Sequence, residues 1–320
     1  MYKPADKDAW KGRIDTQDGE LGLRWNQLIQ LLDLSRDVPA GSGGIVFLGF
    51  CCDEGVRRNQ GRVGAAKAPA EIRKAMASFA DHLPEEVHLY GGGDVFCPNQ
   101  KMEEAQVQLG RKVELLLKKG YKPVVMGGGH ETAYGHFLGI HKTMQEGERL
   151  GIINVDAHFD LRTDKPQPSS GSPFLQMAQE LQQKGQEFHY LCVGIQEYGN
   201  TRKLFQTAKE LGASYIPAQD LDSGVSTAVL KKVQQFLQGV DKVYLSIDLD
   251  AFAAAYAPGV SAPTAMGLVP HTVLPVLREI MASGKVVSLD VVELNPLFDL
   301  DSRTARLAAT LLYHLVQRWV

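Results

Sequence analysis

Alternation of strand and helix patterns constrains this chain more than any other feature. Short apolar runs rich in β-formers occur at Ile45–Phe50, Val87–Tyr90, Pro123–Met126, Leu150–Val155, His189–Val193, Lys242–Ile247 and Lys285–Val292. Segments with helical spacing separate most of them: Ala70–Phe79, Glu103–Lys119, Phe174–Lys184, Arg202–Leu211, Val225–Leu237, Pro270–Ala282 and Ser302–Trp319. Ser214–Ile216 reads as one further short strand, and Leu21–Asp37 as a partly helical extension ahead of the first run. Strands alternating with helices build βαβ units, because parallel neighbours need a long crossover. The fold class is therefore α/β, with a mainly parallel sheet covered by helices. A closed (β/α)8 barrel and an open doubly wound sheet both satisfy the pattern, and both put function at the carboxyl ends of the strands.

Chemistry does gather there. Gly127-Gly128-Gly129-His130-Glu131 follows Val125-Met126, Asp156-Ala157-His158-Phe159-Asp160 follows Ile152–Val155, and Asp248-Leu249-Asp250 follows Val243–Ile247. In extended chain, residues two apart share a face. Asp156, His158 and Asp160 can thus converge, as can Asp248 and Asp250. Four carboxylates brought together without cations repel and resist burial. Two divalent cations cancel that charge, and carboxylates bridge metal pairs about 3.5–4 Å apart. Oxygen donors with two imidazoles suit a moderately hard ion such as manganese better than a thiolate-loving metal or a typical structural zinc. One DxH or DxD alone is a weak signal, since aspartates are common where strands turn into loops. Three clusters at successive strand ends are not ordinary turn chemistry.

Composition narrows the class without naming the chemistry. The chain has 320 residues, 44% hydrophobic and 22% charged, with a formal net charge of -3. That is an ordinary globular protein with material for a large core. The mild acidity gives no reason to expect nucleic acid or an anionic membrane as partner. The first twenty residues lack the apolar stretch of a secretion signal, and no later run approaches the roughly 20 apolar residues of a membrane span. A cytoplasmic location is the resulting expectation. No Pro/Gly/Ser-rich linker divides the chain, so residues 1–320 are read as a single domain with residues 1–42 as an N-terminal extension. The polar segment Arg162–Ser172 reads as a loop lining the mouth of a site.

Other features carry less. The triple glycine at 127–129 does not complete GxGxxG, and its better explanation is close backbone approach where a strand turns into a helix presenting His130. His136, His141, His189, His271 and His314 lack neighbouring donors and read as structural or surface histidines. There is no GxSxG elbow and no Cys–His signal for nucleophilic catalysis. Cys51, Cys52, Cys97 and Cys192 show no CxxC spacing. Adjacent Cys51 and Cys52 leave a strained redox pair open, against the simpler reading of two packed thiols at a strand end.

These residues carry a resemblance. GGGH at 127–130, NVDAHFD at 154–160, SIDLD at 246–250 and VVELNP at 291–296 resemble four signature segments of the arginase–agmatinase–formimidoylglutamase superfamily, the ureohydrolases. DEGVRRNQGRVGAAKAPAEIR at 53–73 resembles its first conserved block, so the likeness spans about residues 45–320. It implies a three-layer α/β/α fold with a mostly parallel central sheet, not a barrel. It also implies two manganese ions per subunit, one held by His130, Asp156, Asp160 and Asp248, the other by His158, Asp156, Asp248 and Asp250. Asp156 and Asp248 would bridge them. Glu293 matches the glutamate that holds a substrate's amidine or guanidine nitrogen. Homo-oligomers are usual in the superfamily, and the sequence identifies no interface.

Four departures from arginases point to the formimidoylglutamase branch. Arg162 stands where arginases have asparagine, and Phe174 replaces the histidine that follows a Ser-Gly pair. Asp248–Ala254 lacks the later Asp-Pro, and APGVSAP at 257–263 replaces the PGTGTP form. The substrate implied is N-formimidoyl-L-glutamate, cleaved to L-glutamate and formamide in histidine degradation. Its two carboxylates call for cationic and hydroxyl donors, with Arg162, Ser170, Ser172, Asn59, Arg57 and Arg58 as candidates; each Arg also has a plain reading as a surface ion pair. In the implied mechanism a metal-bridging hydroxide attacks the formimidoyl carbon, and Asp160 is the candidate that protonates the leaving amine. An agmatinase or another guanidino-compound hydrolase is the nearest rival, and Arg162 argues against it by repelling agmatine's cationic amine. A catalytically silent binding protein on the same fold is the rival of different class.

Overall fold

The computed structural model describes residues 1–319 apart from Ser42 and Ser223. The expected domain boundary at residue 42 therefore falls outside the described residues. Ten strands form one sheet: β1 (Tyr2–Lys3), β2 (Gln30–Leu31), β3 (Ile45–Cys51), β4 (Leu89–Phe96), β5 (Lys122–Met126), β6 (Leu150–Val155), β7 (His189–Ile195), β8 (Ser214–Pro217), β9 (Lys242–Asp248) and β10 (Val286–Val292). Their order is β1-β4-β3-β5-β10-β9-β6-β7-β8, with β2 also pairing β4. Only β1 runs antiparallel to its neighbour. The path ends at β1 and β8 without closing, so the sheet is open and the barrel is excluded.

Alternation along the strands explains the three layers. Val124 and Met126 point into one core, with Ile153, Val155, Leu191, Val193, Leu245, Ile247, Leu289 and Val291, under the helices Ala68–Met76, Thr227–Gln238, Pro270–Ala282 and Arg303–Val316. Val125, Ile152, Tyr190, Cys192 and Tyr244 point into the other, under Met102–Lys118, Thr132–His141, Pro173–Gln183 and Arg202–Glu210. A central parallel strand buried on both faces needs apolar residues at every position, which is why these runs read as continuous. Helices Met102–Lys118 and Thr132–His141 cross closely: a Cβ on Gly139 would stand 2.4 Å from the Gly110 carbonyl oxygen. That contact sets the start of Thr132–His141, and hence His130, against the ends of the central strands.

The extension is helical only in short pieces: Gly19–Gly22 is a 3-10 turn, Trp25–Leu28 a single α-turn, and Gln30–Leu31 joins the sheet at β4. The backbone donors of Trp25 and Asn26, which a helix leaves free in its first turn, go to the carbonyls of Phe79 and Ala77, at 2.9 and 3.0 Å. β4 runs past its expected end through Gly91-Gly92-Gly93, where a Cβ on Gly91 would meet the buried Trp10 indole at 2.8 Å. The glycines there make room for the extension.

Candidate metal centre

The sheet order makes β5, β10, β9 and β6 consecutive neighbours. Their carboxyl ends carry His130, Glu293, Asp248 with Asp250, and Asp156 with His158 and Asp160 respectively. Chain segments far apart in sequence thus deliver their donors side by side, at the crevice where open α/β sheets bind ligands.

Two donor groups result. His130, Asp156, Asp160 and Asp248 form one, and Asp156, His158 and Asp250 the other. His130 Nδ1 lies 3.2, 3.0 and 2.9 Å from carboxylate oxygens of Asp156, Asp160 and Asp248, yet it makes no aligned hydrogen bond to any. Asp250 Oδ1 is likewise buried without a partner. His158 Nδ1 sits 3.2 Å from Asp250 and 3.5 Å from Asp156. Buried polar atoms seldom go unsatisfied. A donor set that converges without bonding internally fits cations, and the all-oxygen-and-imidazole chemistry fits manganese. Asp248, expected in both groups, falls in the first alone; its Oδ1 accepts the Asp250 N–H at 2.8 Å.

Electrostatics agree. Burial, then the charges of Asp250 and Asp156, push the Asp248 carboxyl well above the usual range. Burial pushes Asp250 up to about 6, against the pull of the His158 ring. Burial alone would lower the His130 pKa, but the carboxylates of Asp156, Asp160 and Asp248 outweigh it and hold it well above its ordinary value. So many acids in one dry place cannot all keep their charge without cations to offset it.

Asp160 and Glu293 share a further property: φ is 48° at Asp160 and 69° at Glu293. Left-handed backbone at a non-glycine residue is strained, and such residues cluster at active sites. Glu293 is held there by its own N–H bonding to the Gly128 carbonyl at 2.8 Å, while its Oε1 accepts the His130 N–H at 2.7 Å. The triple glycine permits this closeness, since a Cβ on Gly128 would stand 1.6 Å from the Cys52 carbonyl oxygen.

A cleft of about 250 Å³ opens over the donors, lined by Asn59, His158, Asp160, Arg162, Ser170, Gly199, Leu204, Asp248, Asp250, Ser261, Ala262 and Glu293. A larger cavity of about 890 Å³ lies beside it, across the Gln196–Gly199 segment, and contains none of the metal-type donors. Arg162, Asn59 and Ser170, named from the sequence, line this cleft. Around Gly171 they are close-packed: a Cβ there would meet Arg162 Cδ at 2.5 Å and Asn59 Nδ2 at 3.2 Å.

Arg57, Arg58 and Ser172 do not line the cleft. Arg57 is bound to both Glu54 oxygens at 2.6 and 2.7 Å. Arg58 pairs with Glu54 and Glu103 and donates to the Pro168 carbonyl at 3.2 Å, bracing the 162–172 loop from behind. The fully buried Ser172 closes a turn, exchanging bonds with the backbone of Ser169. The ion-pair reading of these two arginines is the one the structure displays. Phe174 also stays out of the cleft, stacked on Tyr190 and set edge-on to the His130 ring. Sequence reasoning gave no role to Ser261 and Ala262; their only signal was the altered APGVSAP segment, and Gly199 had none. The four cysteines are free thiols, Cys52 in the core and Cys51 half-buried. Among the described residues no helix is long and apolar enough to cross a membrane.

Comparisons with known proteins converge on one family. The arginase family profile matches residues 43–317. The chain is 45% identical to a formimidoylglutamase of Geobacillus thermodenitrificans (strain NG80-2), over 97% of this chain and 95% of that one. It is 43% identical to a formimidoylglutamase of Aeromonas hydrophila over 99% of each. The crystal structure of Trypanosoma cruzi formiminoglutamase with Mn2+2 superposes with a TM-score of 0.77 at 27% identity, covering 88% of this chain and 94% of that one. An arginase from Bacillus subtilis superposes with a TM-score of 0.72 at 26% identity, covering 85% and 98%.

Proposed function

The chain belongs to the arginase family, and on that premise we propose that it is a manganese-dependent formimidoylglutamase, hydrolysing N-formimidoyl-L-glutamate to L-glutamate and formamide in histidine degradation. One observation carries the reading: the metal-type donors His158, Asp160, Asp248 and Asp250, Glu293 and the Arg162–Asn59–Ser170 group line a single cleft sized for a small molecule. Likeness to formimidoylglutamases over nearly the whole chain supports the choice of substrate.

His130, Asp156, Asp160 and Asp248 would hold one manganese, and Asp156, His158 and Asp250 the other. Asp156, whose two oxygens face the two imidazoles, would be shared between the two ions. When bound, the metal pair supplies a nucleophilic water of lowered pKa near neutral pH.

The protein's own side chains do the rest. Burial and the charges of Glu131 and Asp250 raise the Glu293 pKa well above its ordinary value. A cationic formimidoyl group is the partner this buried carboxylate lacks, and pairing with it fixes the reactive carbon above the donors. At the mouth, Arg162, Asn59 and Ser170 offer donors to the two substrate carboxylates, where a planar guanidinium suits a carboxylate best. Asp160 lines the same cleft and is assigned to protonate the departing nitrogen.

The test is a substrate panel with manganese-loaded protein. Glutamate and formamide should appear in equal amounts from N-formimidoyl-L-glutamate, with no urea from L-arginine or agmatine. Urea release at a comparable or higher rate would overturn the substrate assignment.

A further inference from the structure

Behind the first donor group, away from the cleft, a chain of buried polar side chains crosses the sheet. His130 Nε2 lies 3.0 Å from Ser246 Oγ, which donates to Asp290 Oδ1 at 2.6 Å. The other Asp290 oxygen accepts the Tyr244 hydroxyl and faces His136 Nδ1 at 2.7 Å. His136 Nε2 reaches Ser288 Oγ at 2.6 Å, and Ser288 Oγ donates to the Pro123 carbonyl at 2.8 Å. His130 is 1% exposed, and His136, Tyr244, Ser246, Ser288 and Asp290 are sealed completely.

Nothing in the packing requires such groups. Positions 244, 246, 288 and 290 share the strand face that elsewhere feeds an apolar core, while Leu245, Ile247, Leu289 and Val291 fill the opposite one. Removing a carboxylate and an imidazole from water is costly, and apolar residues of similar volume often pack as well or better.

Counting hydrogens gives the chain a direction. An ionised Asp290 accepts only, so the Tyr244 hydroxyl, the Ser246 hydroxyl and His136 Nδ1 are all donors to it. Ser246 has a single hydrogen and gives it to Asp290. Its oxygen can then only accept from His130, which must carry a proton on Nε2. In the neutral ring that metal binding requires, Nδ1 is therefore the bare atom, and Nδ1 is the one that faces Asp156, Asp160 and Asp248. The Phe174 ring packs perpendicular to the imidazole, with ring centroids 5.2 Å apart.

We propose that Asp290 and His136 are positioning residues which, through Ser246, fix His130 in the Nε2–H tautomer and hold Nδ1 ready to bind metal. His136 anchors the far oxygen of Asp290, so that the near one stays aimed at Ser246. This rests on the manganese reading, and it assigns His136, a plain structural histidine by sequence, to the assembly of one half of the site.

Equilibrium dialysis against Mn2+ tests it, comparing the whole wild-type protein with Ser246→Ala, Asp290→Asn and His136→Gln, each checked for folding by circular dichroism and thermal melting. The chain touches only His130, so one of the two manganese dissociation constants should weaken by about 10- to 100-fold, the range found for such outer partners of metal-bound histidines, and the other should not move. The Ser246→Ala/Asp290→Asn double variant should bind no worse than the weaker single one. Folded variants with both constants unchanged, or with both weakened alike, would overturn the proposal, and so would additive losses in the double variant. A lowered melting temperature with intact manganese constants would mark the chain as structural only. If Asp290→Asn does not fold, Ser246→Ala, which removes one hydroxyl, decides alone. Failure of the wild-type protein to bind manganese would instead sink the metal reading.

Discussion

The two imidazoles of the site live in opposite settings. The His130 side chain is 1% exposed, bonded from behind through Ser246 and flanked by Phe174. The His158 side chain is 26% exposed, lines the cleft, and has Gly199 beside its ring, where a Cβ would sit 3.3 Å away. One half of the centre is built into the core and the other into the wall of the substrate cleft. The contrast teaches a division of labour: the deep half is held by the fold, whereas the open half meets the solvent and the substrate.

Asp156 joins the halves, so replacing it has the largest effect. Asp156→Ala is expected to abolish both manganese binding and turnover, read by metal analysis after gel filtration and by the formamide assay. Retention of two metals would remove its bridging role. Next come the imidazoles themselves. In chelator-treated protein, His130→Ala strips a buried partner from three carboxylates and should destabilise the fold by about 3–5 kcal/mol. His158→Ala should cost less, since solvent screens the exposed half. Equal losses in denaturant titrations would erase the distinction between deep and open halves.

Smaller effects sharpen the comparison on the cleft side. Arg162→Gln removes a charge-assisted bond to a substrate carboxylate worth about 1.5–3 kcal/mol, so kcat/KM should fall roughly 10- to 100-fold with manganese content unchanged. An unchanged kcat/KM would move the carboxylate contact elsewhere. Smallest is Arg57→Ala. Its half-exposed guanidinium pairs with Glu54, which Arg58 also holds, so the Glu54 carboxylate keeps a partner when Arg57 is removed. Both KM and manganese binding should stay as they are; a raised KM would put Arg57 back in contact with substrate.

The donor residues were readable from the chain, because three clusters of them follow successive aliphatic strands. The extended geometry expected to bring them together is not what does so: Asp250 lies in a 3-10 turn, and Asp160 has a φ of 48°. The role of Glu293 came only through family resemblance, because no local pattern marks it. Strand order was not readable: β10 and β9 insert between β5 and β6, and only long-range packing decides such pairing. Beyond neighbouring Glu54, the partners of Arg58 lie 45 and 110 residues away, so its role as a brace was invisible beside its plausibility as a carboxylate binder. His136 shows the same limit, with its carboxylate 154 residues further along. The extension reads as partly helical, and only its strand pairing with β4 escaped, because those backbone partners lie far along the chain.

Two unequal half-sites acting together on one substrate carry the proposed chemistry. Metal-stripped protein titrated with manganese, while turnover of N-formimidoyl-L-glutamate is followed by formamide release, tests that most directly. Turnover should stay near background through the first equivalent per subunit and rise with the second, as the open half fills. Full activity in the stripped protein or at one equivalent, or no turnover of this substrate at two, would contradict it.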